Sequence, residues 1–107
     1  MSTTENGPFE WVQADEGIRR RVLAHTPDAM TVEVAFDADA VGAPHSHPHL
    51  QTVFVQSGKF VFTINGKETV VQSGDSLVIP REAHHGCKAI EPGTLIDCFV
   101  PRRDDFL

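Results

Sequence analysis

The feature that most constrains the fold is a series of short runs, from Ile18 onward, in which apolar and β-branched residues alternate with polar ones. Turn-forming residues separate these runs, and no helical periodicity is sustained over about 11 residues. Runs of this kind are typical of β-strands. We predict strands at 18–25, 31–36, 51–56, 59–65, 68–72, 76–79, 86–90 and 95–100. The chain is therefore predicted to be all-β.

The turns between these runs are also visible in the sequence. Asn65-Gly66 predicts a two-residue hairpin of type I′, because both central residues of that turn need a positive φ. Further reversals are expected at Ser57-Gly58, at residues 73–75 and at residues 91–93, where Gly, Pro and Asp accumulate. Many short strands at this spacing indicate a sandwich or a small barrel.

Length and composition indicate a single domain. A chain of 107 residues with 40% hydrophobic residues can bury a core without disulfides, and Cys87 and Cys98 have no paired metal-ligand spacing. We expect a flexible tail over residues 1–10 and one domain over residues 11–107. The start of the chain lacks the basic and apolar segments of a secretory signal, and no run is long enough to span a membrane. We therefore expect a cytoplasmic protein without a membrane partner.

The charge of the chain argues against a nucleic-acid partner. The formal net charge is −6, whereas affinity for phosphate backbones comes mostly from basic side chains. The only basic run is Arg19, Arg20 and Arg21. Because successive side chains of a strand point to opposite faces, this run is expected to split between two faces rather than form one patch.

The histidines predict a metal site. His45, His47 and His49 occupy alternate positions just before a predicted strand, so in extended chain they share a face. Imidazole nitrogens bind metal ions at about 2 Å, and two such ligands need further donors to complete a site. Gln51 offers an amide oxygen four residues after His47, and His85 offers another imidazole from a later turn. A single histidine in such a place is more often a surface or core residue, and the residues alone leave open whether His85 lies beside the others.

Two strings carry a resemblance to a known family. His45-Ser46-His47 is followed by Gln51 and Gly58, and Gly74 is followed by Pro80 and His85. This pattern resembles the two motifs of the cupin superfamily, which implies a double-stranded β-helix, or jelly-roll barrel. It also implies that His45, His47, Gln51 and His85 bind one divalent transition metal ion, whether Ni, Zn, Fe, Mn or Co. The chain departs from the usual motifs at four positions: Gln51 replaces Glu, Asp39 and Glu82 replace Gly, and Ala89 replaces Asn.

The ends of the chain narrow the resemblance. Residues 17–20, 45–51 and 97–107 are similar to a subfamily of cupins that acts in pectin degradation. This similarity implies a metal-dependent enzyme whose substrate is a small sugar acid. The enzyme would convert cyclic 4,5-unsaturated monouronates, released by pectin or alginate lyases, into linear 5-keto-4-deoxyuronate. The resemblance implies that the catalytic residues are Asp97, Phe99 and Arg103.

The residue types suit these roles. Asp97 and Phe99 share one face of a predicted strand, so both are expected to line the barrel interior, Asp97 as general acid and base and Phe99 as a shield against water. Arg103 has the planar fork of donors that suits bidentate capture of a carboxylate. Each also has a plainer alternative: Asp97 as a turn residue, Phe99 as core and Arg103 as a solvated tail residue. We expect His49 to lie near the metal ligands without being one of them.

Two other functions fit the same pattern. Cupins with a three-histidine site often hold Fe(II) and activate dioxygen, because open coordination positions suit that chemistry. Alternatively, the domain binds a sugar acid without catalysis, since a fold alone does not fix a function. The exposed edges of a short barrel also favour a homodimer.

Overall fold

The computed structural model describes residues 4–107, which form nine β-strands and one 3₁₀ helix. The strands are β1 Glu5–Asn6, β2 Val12–Asp15, β3 Ile18–Thr26, β4 Ala29–Phe36, β5 Val41–His45, β6 Leu50–Ile64, β7 Lys67–Gln72, β8 Ser76–Ile79 and β9 His85–Val100, and the 3₁₀ helix is Asp104–Phe106. Within that described part of the chain, no helix is long and apolar enough to cross a membrane. The all-β prediction is confirmed.

The two long strands, β6 and β9, organise the barrel. They pair antiparallel along their whole length, from Leu50 opposite Val100 to Ile64 opposite His85. The first part of β6 also pairs with β8 and its second part with β7, while β9 pairs with β5 and then with β4. Register shifts near the middle of both strands bend the sheet, so that it folds over itself into two layers. This architecture is the predicted double-stranded β-helix.

Two of the predicted reversals are wrong. Ser57-Gly58 and residues 91–93 do not reverse the chain, because the strands on either side of them continue as β6 and β9. The two segments are bends that lie against each other, and a Cβ on Gly58 would come within 2.6 Å of the carbonyl oxygen of Pro92. By contrast, Asn65 and Gly66 both have positive φ, 49° and 82°, which confirms the predicted hairpin turn.

The core lies between the two layers and comprises two clusters. The larger one includes Val53, Val55, Phe60, Ile79 and Ala89, all at 0% exposure. The smaller one contains Val22, Met30, Val32 and Phe99. Full burial of a side chain of this size stabilises the fold by roughly 1.5–3 kcal/mol. Both clusters reach the cavity described below.

Two non-glycine residues adopt left-handed backbone conformations where the cupin motifs usually have glycine. Asp39 has φ 67° and Glu82 has φ 65°. Hydrogen bonds hold both: the amide of Asp39 donates to the carbonyl of Ala89 and that of Glu82 to the carbonyl of His47, each at 2.9 Å. The backbone therefore keeps the shape that glycine would favour, at the cost of local strain.

The N-terminal segment differs from the expected flexible tail over residues 4–10. Glu5–Asn6 pairs with β3, and the amide of Gly7 donates to the carbonyl of Leu23 at 2.7 Å. The amide of Phe9 donates to the carbonyl of Val22 at 2.9 Å, because the edge of β3 offers unpaired backbone groups there. Residues 1–3 lie outside the described part, and the domain boundary at residue 11 stays a prediction.

Candidate metal centre and substrate cavity

Three histidines from three segments meet at one end of the barrel. His45 ends β5, His47 lies in the following loop and His85 begins β9 directly opposite His45. One ring nitrogen from each of the three lies within 4.8 Å of the others, so the cluster is able to hold a metal ion. His47 and His85 are buried, whereas His45 is exposed. His84, next to His85 in sequence, is exposed and outside this cluster.

The turn before β9 holds the histidine loop in place. Arg81 donates from Nη1 to the carbonyl oxygens of Pro48 and Val100, at 3.1 and 3.2 Å. The amide of Glu82 donates to the carbonyl of His47. These bonds tie residues 46–49 to the segment that carries His85, so the barrel holds the histidines of both segments in place.

Backbone carbonyls select the same tautomer for all three imidazoles. Nδ1 of His45 lies 3.0 Å from the carbonyl oxygen of Ala43, and Nδ1 of His85 lies 2.9 Å from that of Ala83. Nδ1 of His47 lies 3.1 Å from the carbonyl oxygen of His49. A carbonyl only accepts hydrogen bonds, so each neutral ring carries its hydrogen on Nδ1 and keeps a lone pair on Nε2.

Gln51 adds an oxygen to these nitrogens. Its buried Oε1 lies 3.0 Å from Nε2 of His47, and its side chain also hydrogen-bonds to Asp97. An ionised Asp97 only accepts, so the amide nitrogen of Gln51 donates to Asp97 and Oε1 turns toward the histidines. Burial lowers the pKa of both His47 and His85, which keeps these rings neutral. Converging lone pairs from neutral groups suit a divalent cation.

Asp97 is the buried carboxyl group of the site. It lies on β9 with 7% exposure, opposite Val32 and Val53, and burial raises its pKa to about 7, although Gln51 and Arg103 oppose the shift. Its Oδ1 is buried without a hydrogen-bond partner in residues 4–107. An unpartnered buried oxygen is costly, so a ligand, an ion or a water molecule that pairs with Oδ1 would stabilise the site.

Phe99 and Arg103 complete the wall beside Asp97. The Phe99 ring packs edge-on against His47, with ring centroids 5.7 Å apart, and the guanidinium carbon of Arg103 lies 5.1 Å from the Phe99 centroid. Nε and Nη2 of Arg103 donate to the two carboxylate oxygens of Asp105, at 3.0 and 2.8 Å. One edge of the Arg103 fork is therefore already occupied, and Nη1 has no hydrogen-bond partner in the described part of the chain.

Apart from His47, the residues predicted for the site line one cavity of about 380 Å³. Its polar lining includes His45, Gln51, His85, Asp97 and Arg103, and most of the remaining wall is apolar. The volume and the small number of convergent polar groups are typical of a site for a small ligand such as one sugar ring.

Arg20 also lines this cavity, although the sequence analysis did not predict it as a site residue. The predicted split of the basic run is confirmed: Arg19 and Arg21 lie over Trp11, while Arg20 points to Phe106 inside the cavity. Strand alternation was the signal that could have found it. His49 does not join the histidine cluster; its carbonyl fixes the tautomer of His47, and its own buried Nδ1 has no partner among the described residues.

Comparison with known proteins places these observations in a family context. The protein-family model described as "Cupin domain" matches residues 32–99 of this chain. The chain is 36% identical over 99 residues to the pectin degradation protein KdgF of Dickeya dadantii (strain 3937), covering 91% of this chain and 90% of that protein. The structure of KdgF from Halomonas sp. matches with a TM-score of 0.87 and 44% identity, covering 92% of each chain. An RmlC-like cupin from Shewanella frigidimarina NCIMB 400 matches with a TM-score of 0.88 and 35% identity, covering 92% of this chain and 88% of that one.

Proposed function

The chain belongs to the cupin domain family, and we propose that it is a metal-dependent enzyme that opens the ring of unsaturated sugar acids. The substrates are cyclic 4,5-unsaturated monouronates from pectin or alginate breakdown, and the product is linear 5-keto-4-deoxyuronate. The similarity of the chain to the pectin degradation protein KdgF of Dickeya dadantii and to KdgF from Halomonas sp. supports this choice of substrate.

The observation that carries the proposal is the position of Asp97. Asp97 lines the same cavity as His45, His85 and Gln51, a space that fits one sugar ring, and its buried Oδ1 has no hydrogen-bond partner within residues 4–107. A buried carboxyl group with a pKa near 7 is able both to take up and to release a proton at neutral pH. Ring opening with ketonisation needs both steps, because a proton leaves one atom of the substrate and a proton is added to another.

The reaction is an isomerisation and needs no oxidant. Asp97 takes the proton from the C1 hydroxyl, C1 becomes an aldehyde as the bond between C1 and the ring oxygen breaks, and the electron pair stays on that oxygen. This leaves an enolate across C4 and C5. Asp97 then delivers the proton to C4, and C5 becomes a ketone. One proton leaves one substrate atom and reaches another, so the atoms and electrons balance.

His45, His47, Gln51 and His85 are proposed to hold a divalent transition metal ion. Such an ion, when bound, supplies Lewis-acid stabilisation of negative charge on substrate oxygens. The four donors are neutral, so they leave the full positive charge of the ion in the site. The Nδ1 hydrogen bonds to backbone carbonyls orient the three rings for this task.

Phe99 and Arg103 shape the reaction space. Phe99 covers the side of the cavity next to His47 and excludes water from the enolate. Arg103, held at one edge by Asp105, donates from its free Nη1 to an anionic oxygen of the substrate. Phe99 acts by excluding water and Arg103 acts by its charge, while Asp97 moves the proton.

The test is to incubate the metal-loaded protein with freshly prepared unsaturated monouronate and identify the product by NMR while recording dissolved oxygen. The proposal predicts linear 5-keto-4-deoxyuronate without oxygen consumption. Oxygen uptake with an oxidised product would instead identify an Fe(II) dioxygenase, and binding without conversion would identify a sugar-binding cupin. A homodimer is also proposed, and light scattering after size exclusion measures that mass.

A further inference from the structure

Among the described residues, Arg20 is a half-buried cation that the nearby carboxylate of Asp105 stabilises without a direct hydrogen bond or ion pair. It lies on β3, and its guanidinium carbon sits 4.0 Å from the centre of the Phe106 ring. Within residues 4–107 its guanidinium makes no hydrogen bond or ion pair. Its neighbour Arg21 pairs with Glu33 at 2.7 Å, and Arg102 pairs with Asp104 at 2.7 Å. A partly desolvated charge without a partner is unfavourable, so an anion from outside the chain would stabilise it.

Arg103 adds a second positive charge next to Arg20. Its own guanidinium carbon lies 4.3 Å from the same Phe106 ring, so the two cations share one aromatic platform. Asp105 neutralises only one of them, which leaves one uncompensated positive charge in this part of the cavity. Burial and, second to it, the nearby charge of Arg103 lower the pKa of Arg20, and the carboxylate of Asp105 offsets this shift only in part. The arrangement is notable in a chain whose formal net charge is −6.

The carboxylate of a uronate would supply the negative charge that balances Arg20. It carries a single carboxylate at pH 7, and a guanidinium fork binds a carboxylate through two parallel hydrogen bonds. Among the described residues, none hydrogen-bonds to either edge of the Arg20 fork, whereas Asp105 holds one edge of the Arg103 fork. Asp15 also lines the cavity, but it is exposed and its Oδ1 accepts the amide of Glu16 at 2.8 Å.

We propose that Arg20 binds the carboxylate of the uronate and selects acidic over neutral sugars. The inference rests on the proposed function and deepens it, because it divides the anion binding between two arginines. Arg20 holds the carboxylate, and Arg103 stays over Phe99 beside the reacting part of the ring. Phe106 orients both guanidinium groups through its ring face.

The test compares Arg20→Gln and Arg20→Lys with the control Arg19→Gln. Arg19 is adjacent in sequence but exposed on the opposite face, over Trp11. Calorimetry measures binding of D-galacturonate, a saturated uronate, and of neutral D-galactose to each metal-loaded protein, and thermal melting checks that each variant folds. Steady-state kinetics with the unsaturated monouronate provide KM and kcat separately.

Arg20→Gln is expected to weaken galacturonate binding by about 10- to 100-fold, the effect of losing a charged hydrogen-bonded partner. KM is expected to rise by a similar factor with a much smaller change in kcat, because the carboxylate contact is made before and during the reaction alike. Arg20→Lys is expected to recover part of the affinity, since it keeps the charge but loses the fork. Arg19→Gln is expected to match the wild type, and galactose is expected to bind all four proteins equally weakly.

Galacturonate binding that is unchanged in Arg20→Gln, or equally weakened in Arg19→Gln, would overturn the inference. If Arg20→Gln does not fold, Arg20→Lys decides, and wild-type affinity in that variant overturns it. A wild type that does not bind galacturonate also overturns it. Galacturonate binding that depends on Arg20 in a protein without ring-opening activity would instead refute the proposed function and leave the carboxylate site standing.

Discussion

Oε1 of Gln51 lies 3.0 Å from Nε2 of His47, and the hydrogen bonds that these two side chains make to His49 and Asp97 imply a lone pair on each of the two atoms. The hydrogen of the His47 ring is on Nδ1, which donates to the carbonyl of His49, and the amide hydrogens of Gln51 are on its nitrogen. Two lone pairs facing each other repel unless a cation lies between them. This pair is therefore the clearest local sign of an ion site in the barrel.

The first prediction concerns metal binding and stability. An ion that binds only the folded chain, present at 100 times its dissociation constant, stabilises the chain by about 2.7 kcal/mol, which corresponds to a rise of roughly 10–20 °C in melting temperature. We expect such a rise with at least one of Zn(II), Ni(II), Co(II), Mn(II) or Fe(II), and its loss in His47→Ala. Differential scanning calorimetry with and without chelator measures it.

His84→Ala is the matched control for that experiment. His84 is exposed and adjacent to His85, and the hydrogen bond that it makes to Asn65 comes from its backbone amide, which alanine keeps. We expect the control to retain the full metal-dependent shift. Equal loss of the shift in His84→Ala and His47→Ala would contradict the assigned ligand set.

The second prediction is that Gln51→Glu binds metal more tightly but reacts more slowly. The new carboxylate would replace the amide that donates to Asp97, so two carboxyl groups would meet in a buried place and the pKa of Asp97 would rise further. A negative ligand would also reduce the electrophilicity of the ion. We expect kcat at pH 7 to fall by about tenfold or more, with Gln56→Glu, on the exposed face of β6, as the control. Unchanged kcat in Gln51→Glu would argue against the coupling between Gln51 and Asp97.

The third prediction is a pH dependence of stability in the metal-free protein. Burial raises the pKa of Asp97 from its ordinary value of 3.8 to about 7, so between these values the folded state holds a proton that the unfolded state has released. Stability from this group is therefore fully present below about pH 4 and is lost as the pH rises toward 7, by at most about 1.4 kcal/mol per pH unit.

Comparison with Asp97→Asn isolates this effect, because the histidines titrate in both proteins. Urea unfolding at pH values from 5 to 8 should show the wild type losing stability relative to Asp97→Asn up to about pH 7 and then a constant difference. A difference that does not change with pH would show that Asp97 ionises as an exposed carboxyl group does.

The fourth prediction concerns the left-handed residue Glu82. The left-handed conformation costs a non-glycine residue about 1–2 kcal/mol, and glycine loses about 0.5–1 kcal/mol through its greater freedom in the unfolded chain. We therefore expect Glu82→Gly to stabilise the protein by about 0.5–1 kcal/mol in urea unfolding. Glu68→Gly, the same change in strand β7, should destabilise it by a similar amount. Destabilisation by both changes would show that Glu82 is not strained.

Much of the fold was predictable because strand alternation and the Asn65-Gly66 turn are local signals. The bends at Gly58 and Gly93 were misread as reversals, since the same residue types serve both and only the pairing of β6 with β9 distinguishes them. Strands β1, β2 and β5 were missed: they are short, and tertiary pairing with β3 and β9 determines them.

The candidate site, like the fold, was predictable from the sequence only in part. The alternate spacing of His45 and His47 was legible in the chain, but their meeting with His85 depends on a contact between β5 and β9. The hydrogen bond of Gln51 to Asp97 and the unpaired state of Arg20 are properties of packed side chains, which sequence spacing does not encode. Resemblance to a family supplied the candidate residues, and the geometry supports the roles that we propose for them.

The most direct test of the central claim is the rate at which the absorbance of the conjugated double bond disappears from fresh unsaturated monouronate. The account predicts that metal-loaded wild type accelerates this loss well above the spontaneous rate, and that Asp97→Asn lowers kcat by about 10²- to 10⁴-fold while still binding metal. A wild-type rate equal to the spontaneous one, or an Asp97→Asn variant as fast as the wild type, would contradict it.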